Sequence, residues 1–91
     1  MRPSVTLYGR PGCHLCEDAL EIVERVRARI PFELEQRDIE ADDGLFTTYL
    51  ERIPVVAIDG ADAFELFLDE AAFEQAIRDR RATTAAGPSV E

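Results

Sequence analysis

The first 39 residues change periodicity twice, and this change constrains the fold more than any other feature of the chain. Residues Ser4–Tyr8 (SVTLY) alternate, are rich in β-forming side chains and end at Gly9. From about Cys13 to Pro31, apolar residues recur every three or four positions, as on one face of a helix. They are Leu15, Ala19, Ile22, Val23, Val26 and Ile30. Phe32–Ile39 alternates again, so we predict a βαβ unit with parallel strands and a right-handed crossover.

The remaining segments complete a four-stranded sheet. A short apolar helix over residues 45–50 must end before Pro54, because proline disfavours helical geometry in the residue before it. A strand, a tight turn and a returning antiparallel strand follow. They are Val55–Ile58, Asp59-Gly60 and Phe64–Leu68. Asp69 is the expected N-cap of a final helix. The order βαβ, α, ββα predicts the α/β class, with a mixed sheet covered by helices.

Length and charge restrict the classes of protein. The 91 residues predict one domain over residues 1–82 and a flexible tail over 83–91. A net charge of −9 opposes binding to phosphate backbones and anionic membranes, which argues against nucleic-acid and membrane partners. The N-terminal residues do not form the apolar core of a signal peptide, and no apolar run is long enough to span a membrane. We therefore expect a cytoplasmic monomer.

Both cysteines of the chain lie in the stretch YGRPGCHLCEDAL. On the first turn of a helix, Cys13 and Cys16 would share one face with Cα atoms about 5–6 Å apart, which suits a disulfide. The unpaired N–H groups and the positive end of the helix dipole would lower the pKa of Cys13. This position predicts a nucleophile at Cys13 and a resolving thiol at Cys16. Cys-x-x-Cys next to a βαβ unit indicates redox chemistry rather than a structural disulfide.

The charges near Cys13 act in opposite directions. Arg10 would favour a thiolate, whereas Glu17 and Asp18 would disfavour it. We expect the helix N-terminus and Arg10 to dominate, because these contacts are nearest. His14 is expected to be a neutral polar neighbour rather than a base, because a helix N-terminus disfavours its charged form.

Other uses of the two thiols remain open from the residues alone. Both cysteines would also fit as small core side chains. A closed zinc site needs four ligands, and the only histidine is His14, so we expect no metal bound within one chain. The remaining metal hypothesis is that two chains share zinc or an iron–sulfur cluster through Cys13. A binding domain without redox activity is the third.

These segments together resemble the thioredoxin superfamily, and in particular small glutaredoxin-like proteins. The resemblance covers roughly residues 4–80 and rests on VTLYGRPGCHLCEDA, on RIPVVAIDG and on the order of elements. It implies a thioredoxin-like fold with helices on both faces of the sheet. It also implies a thiol–disulfide oxidoreductase, acting in electron transport and cell redox homeostasis on protein disulfides or glutathione mixed disulfides. No cofactor is implied, and glutathione is a candidate co-substrate.

The resemblance further implies four substrate-binding residues. The Ile53-Pro54 peptide bond would be cis and face the cysteines, with the backbone of Ile53 pairing with an extended peptide or glutathione. Arg10 matches the basic residue near the cysteine motif, and Asp69 matches the acidic residue at the last helix.

Two departures from the glutaredoxin pattern concern glutathione. Glutaredoxins usually carry Cys-Pro-Tyr-Cys, whereas His14 and Leu15 separate the cysteines here. They also carry a Gly-Gly pair before the last helix, where this chain has Phe67 and Leu68. These bulky side chains count against glutathione as the partner.

Overall fold

The computed structural model describes residues 2–86. Strands and helices follow one another in the predicted order, with a short 3-10 helix over Ile39–Ala41 after the second strand. The elements are β1 (Ser4–Gly9), α1 (His14–Arg29), β2 (Glu33–Asp38), α2 (Asp43–Tyr49), β3 (Val55–Ile58), β4 (Ala61–Glu65) and α3 (Glu70–Ala86).

The four strands form one mixed sheet in the order β2-β1-β3-β4. Strand β1 runs parallel to β2 and antiparallel to β3, and β3 and β4 form a hairpin. All four residues of β3 are buried, as expected for a central strand covered on both faces. The predicted α/β class and mixed four-stranded sheet are confirmed.

Helices lie on both faces of the sheet, also as predicted. On one face, Val5 and Leu7 of β1 pack into a core with apolar side chains of α1 and α3. Because successive strand residues point to opposite faces, Tyr8 lies on the other face. There its ring stacks on that of Tyr49 in α2, with centroids 4.4 Å apart.

The position of β4 differs from the prediction. The strand covers Ala61–Glu65 instead of Phe64–Leu68. Both turn residues, Asp59 and Gly60, have positive φ, so the hairpin is tight and β4 begins at once. Leu66 then takes a φ of 68° and donates its N–H to the carbonyls of Arg52 and Pro54, which ends the strand. An apolar run that resembled a strand is therefore partly a loop.

One residue was wrongly assigned to the apolar face of α1. Leu15 was predicted to face the core, but its side chain is 57% exposed, whereas Cys16 is buried. At α3 the predicted cap is confirmed, because the carboxylate of Asp69 accepts the N–H of Ala72 at 2.8 Å. Helix α3 continues through Ala86, four residues into the predicted tail, and residues 87–91 of that tail lie outside the described part of the chain. Among residues 2–86, no helix is long and apolar enough to cross a membrane.

Candidate active site

The two cysteines form a disulfide at the start of α1. Pro11 and Gly12, the latter with a φ of 78°, turn the chain out of β1 and place Cys13 immediately before the helix. The Cα atoms of Cys13 and Cys16 are 5.2 Å apart, within the predicted range. Cys13 is partly exposed, whereas Cys16 is only 7% exposed. Only one sulfur of the pair is thus presented to a large partner.

The sulfur of Cys13 is also the N-cap of α1. It accepts the backbone N–H of Cys16 at 3.1 Å, as the side-chain oxygen of Ser or Asp does in most helices. The helix was predicted to start at about Cys13, and this residue is its cap. A negative charge on this sulfur would be stabilised by the same N–H and by the positive end of the helix dipole.

Arg10 pairs with an acid, and His14 lies exposed at the surface. The guanidinium of Arg10 lies 2.6 Å from the carboxylate of Glu40 and over the ring of Phe46. The carboxylate of Glu40 therefore balances the charge of Arg10, which is less available to stabilise a thiolate at Cys13. The side chain of His14 is 93% exposed and lies 3.7 Å from Glu17, so it is placed as a surface neighbour of the disulfide.

Arg10 and Cys16 nevertheless share a cleft. Its volume is about 320 Å³, and it lies where β1 leads into α1, against the end of β2. Basic, acidic and amide side chains line it beside Cys16. They include Arg10, Glu17, Gln36, Arg37 and Asp38.

Pro54 lies at the same edge of the sheet as the disulfide. The last β1–β3 pair is Tyr8 with Val55, so continuing this register places Pro54 opposite Gly9. The Ile53-Pro54 peptide bond is cis, which confirms the prediction. The side chain of Pro54 is less than 2% exposed, so it is packed inside this edge of the sheet.

The backbone of Ile53 is not fully free, contrary to the expectation. Its N–H donates to the carbonyl of Tyr49 at 3.1 Å, because the chain leaving α2 continues the turn of the helix. Among the described residues, its carbonyl accepts no backbone hydrogen bond outside the regular elements. Only half of the pairing expected for an added strand is thus available without rearrangement.

The sequence did not indicate three exposed apolar side chains at this edge. Leu15 is 57%, Leu66 52% and Phe67 70% exposed, and they are the large apolar residues exposed among the described side chains. Leu15 lies in the first turn of α1, the helix that follows β1, and the other two follow the end of β4. Because these strand ends meet at one edge, Leu15, Leu66 and Phe67 form what we call the apolar edge. Asp69, two residues after Phe67, has its carboxylate engaged as the cap of α3.

Metal ligands are not grouped in the part of the chain that the structure describes. No three or more His, Cys, Asp and Glu side chains come together there in a way that would hold a metal ion.

A mixed sheet with a Cys-x-x-Cys disulfide at its first helix defines a thioredoxin-fold protein, and solved structures agree. A mutant thioredoxin from Halobacterium salinarum is 18% identical, with a TM-score of 0.66 over 85% of this chain and 73% of its own. Fasciola hepatica thioredoxin is 19% identical, with a TM-score of 0.65 over 86% and 80%. At these identities the likeness shows the fold alone, and the predicted thioredoxin-like fold is confirmed.

Two further structures are more similar in sequence. The protein Ne2328 from Nitrosomonas europaea is 28% identical, with a TM-score of 0.73 over 85% of this chain and 93% of its own. The protein XcR50 from X. campestris is 26% identical, with a TM-score of 0.71 over 82% and 96%. No curated protein sequence matches significantly. The model of the glutaredoxin-like domain (DUF836) matches residues 4–78, and the chain belongs to this family. Family, fold and cysteine pair together support a redox function.

Proposed function

We propose that the protein is a thiol–disulfide oxidoreductase in which Cys13 is the nucleophile and Cys16 the resolving thiol. The observation that carries the proposal is the disulfide between a partly exposed, helix-capping Cys13 and a buried Cys16. A large substrate reaches the first sulfur and not the second. The backbone N–H that the Cys13 sulfur accepts favours its thiolate, which is the attacking species.

The reaction of the reduced form proceeds in two exchanges. The thiolate of Cys13 attacks one sulfur of a substrate disulfide, forming a mixed disulfide and releasing the other substrate sulfur as a thiolate. Cys16 then loses its proton and attacks the sulfur of Cys13, which closes the internal disulfide and releases the second substrate thiolate. Two electrons pass from the dithiol to the substrate. Two external thiols, or one external dithiol, must return them to complete a cycle.

The apolar edge favours a protein disulfide as the substrate. Leu15, Leu66 and Phe67 are exposed at the end of the sheet that carries the disulfide, and apolar side chains of a polypeptide would cover them. The carbonyl of Ile53, which accepts no backbone hydrogen bond from the described residues, offers one to the backbone of the same segment, next to the buried Pro54.

Glutathione mixed disulfides are the second candidate substrate. The cleft beside Cys16 is lined in part by Arg10 and Arg37, and arginine suits the carboxylates of a small anionic thiol. Asp69 would take part only if its carboxylate could leave the cap of α3 or accept a further donor.

Paired cysteine variants test the reaction. With a soluble protein disulfide as substrate, Cys13→Ser should abolish exchange. Cys16→Ser should retain the first attack and accumulate a mixed disulfide at Cys13, seen as a mass increase that dithiothreitol removes. Equal inactivity of the wild type and Cys13→Ser, on both protein and glutathione disulfides, would exclude the oxidoreductase. Purification of a metal-containing dimer that depends on Cys13 would instead support the shared-metal hypothesis.

The apolar edge supplies the test of substrate class. Phe67→Ala should lower kcat/KM for the protein disulfide without lowering kcat/KM for a glutathione mixed disulfide, because Phe67 does not line the cleft proposed for glutathione. Arg10→Gln is the matched variant for the cleft. If it lowers only the glutathione activity while Phe67→Ala has no effect, glutathione is the better assignment.

A further inference from the structure

Gly9, the last residue of β1, lies directly against the sulfur of Cys16. A Cβ atom added at Gly9 would be 3.1 Å from both the Cβ and the Sγ of Cys16. Ordinary carbon contacts lie at about 3.5–4.0 Å, so any side chain at this position would force an adjustment. This contact joins the end of the central strand to the buried half of the disulfide.

The backbone does not explain why this residue is glycine. Gly9 is not among the residues with positive φ, which include Gly12 and Gly60. Glycine within a strand is unfavourable by about 0.5–1 kcal/mol relative to alanine, because it loses more conformational entropy on folding. The close approach of Cys16 is the feature that requires a bare α-carbon here.

The strand cannot easily move to relieve an added methyl group. Gly9 is in register with Asp38 of β2, so β1 is held by its neighbour up to this residue. The adjustment must therefore come from Cys16. The contact with the Cβ of Cys16 is the same in the dithiol and the disulfide, so only the contact with the sulfur can distinguish the two states. In the dithiol, the sulfur of Cys16 can rotate to another staggered position. In the disulfide, the bond to Cys13 holds it against Gly9.

We propose that Gly9 is a positioning residue for the redox couple. Its bare α-carbon leaves the space that the Cys16 sulfur occupies when bonded to Cys13, and so favours the disulfide over the dithiol. This inference rests on the proposed function, because it assigns Gly9 a part in the same thiol chemistry. An added methyl group should disfavour the disulfide more than the dithiol.

The test compares Gly9→Ala with the wild type in glutathione redox buffers, with the fraction of disulfide measured after acid quenching and thiol alkylation. Closing the bond between Cys13 and Cys16 removes two electrons and two protons from the dithiol, and glutathione disulfide takes them up as two molecules of glutathione. We expect the equilibrium constant for disulfide formation to fall roughly tenfold, equivalent to ~30 mV for a two-electron couple.

Gly44→Ala is the matched control. A Cβ at Gly44 would lie 3.1 Å from the carboxylate of Asp42, the same distance as at Gly9 but in α2. Its redox equilibrium should equal that of the wild type. Denaturant unfolding of both redox forms supplies a second readout. Gly9→Ala should lower the stability of the oxidised form more than that of the reduced form, whereas a purely structural role would lower both equally.

Equal losses, with an unchanged equilibrium constant, would overturn the proposal. If Gly9→Ala folds in neither redox form, the same substitution is made in a Cys16→Ala background, where the sulfur is gone. Folding of that double variant would support the sulfur contact, and failure to fold would contradict it. The glutathione equilibrium needs no substrate turnover. An inactive wild type with a shifted Gly9→Ala equilibrium would therefore count against the proposed function only.

Discussion

The two ends of α1 differ in what they contribute to the molecule. The first turn carries the disulfide, and the sulfur of Cys13 accepts a backbone N–H there. At the other end, Arg25 and Arg29 bind Glu70 of α3 at 2.9 and 3.0 Å, and Arg29 also binds Glu74 at 2.6 Å. One helix dipole favours negative charge at its start and positive charge at its end. Sulfur chemistry and attachment of α3 are thus separated along one helix, and we expect mutations to change them independently.

The largest expected effect is a loss of stability from a core substitution that should leave the redox equilibrium unchanged. Phe73 of α3 is fully buried, with its ring edge-to-face against Phe32 and Phe64. Phe73→Ala should lower the free energy of unfolding by about 3–5 kcal/mol, from lost burial and the cavity left behind. Its glutathione redox equilibrium should stay that of the wild type, because the ring does not line the disulfide end of α1.

Phe67→Ala is the matched control for Phe73→Ala, since it removes the same ring from a position that is 70% exposed. It should change the free energy of unfolding by less than about 0.5 kcal/mol. Similar losses in the two variants, measured by denaturant unfolding, would contradict the assignment of Phe67 to an exposed edge. A large redox shift in Phe73→Ala would show that the two ends of α1 are coupled.

The order of elements could be predicted from sequence because each element carries its own periodicity. The disulfide could be predicted because both cysteines lie on one helical turn, where spacing determines distance. The cis bond at Pro54 came from family resemblance. Features set by distant segments could not be predicted. Arg10 is paired with Glu40 of the 3-10 helix, and Gly9 meets Cys16 across a turn. Neither contact leaves a local pattern.

The conformation of Leu66 also could not be predicted from the sequence, and it gives the second prediction. Its φ of 68° is held by two hydrogen bonds to the carbonyls of Arg52 and Pro54, and a β-forming apolar run gives no sign of this. A left-handed conformation costs a residue with a Cβ about 1–2 kcal/mol. Leu66→Gly should therefore be more stable than Leu66→Ala by about 1 kcal/mol, measured by denaturant unfolding. Both variants remove all of the exposed side chain beyond the Cβ.

The activity of the two Leu66 variants tests the part of the molecule near the disulfide, in contrast to the end of α1 that carries Arg25 and Arg29. Both should exchange more slowly with a protein disulfide, because both remove apolar area from the apolar edge. If Leu66→Gly and Leu66→Ala unfold at the same denaturant concentration, the left-handed conformation at this loop carries no cost. If both retain full activity, Leu66 does not contact the substrate.

The smallest expected effect is a change in stability at the end of α1 that carries Arg25 and Arg29, and it is measured by unfolding at different pH values. Hydrogen bonds from Arg25 and then Arg29 hold the pKa of Glu70 below its ordinary value, and those from Arg78 and Arg29 lower the pKa of Glu74. The folded protein therefore binds fewer protons than the unfolded chain at these groups. Their stabilisation is fully present above the ordinary glutamate pKa of about 4.3, and it is lost as pH falls through the lowered folded values.

Acid also removes repulsion from a chain with 19 acidic and 10 basic residues, so the pH profile of the wild type alone does not isolate this cluster. Arg29→Gln does, when compared with Arg37→Gln. Both arginines are similarly exposed, but Arg37 contacts only Glu35, at 3.6 Å, among the ion pairs of the described residues. Urea unfolding from pH 7 to pH 3 should show a shallower loss of stability for Arg29→Gln than for Arg37→Gln. Parallel profiles would contradict the role of Arg29, and an altered redox equilibrium would mean that the two ends of α1 are not independent.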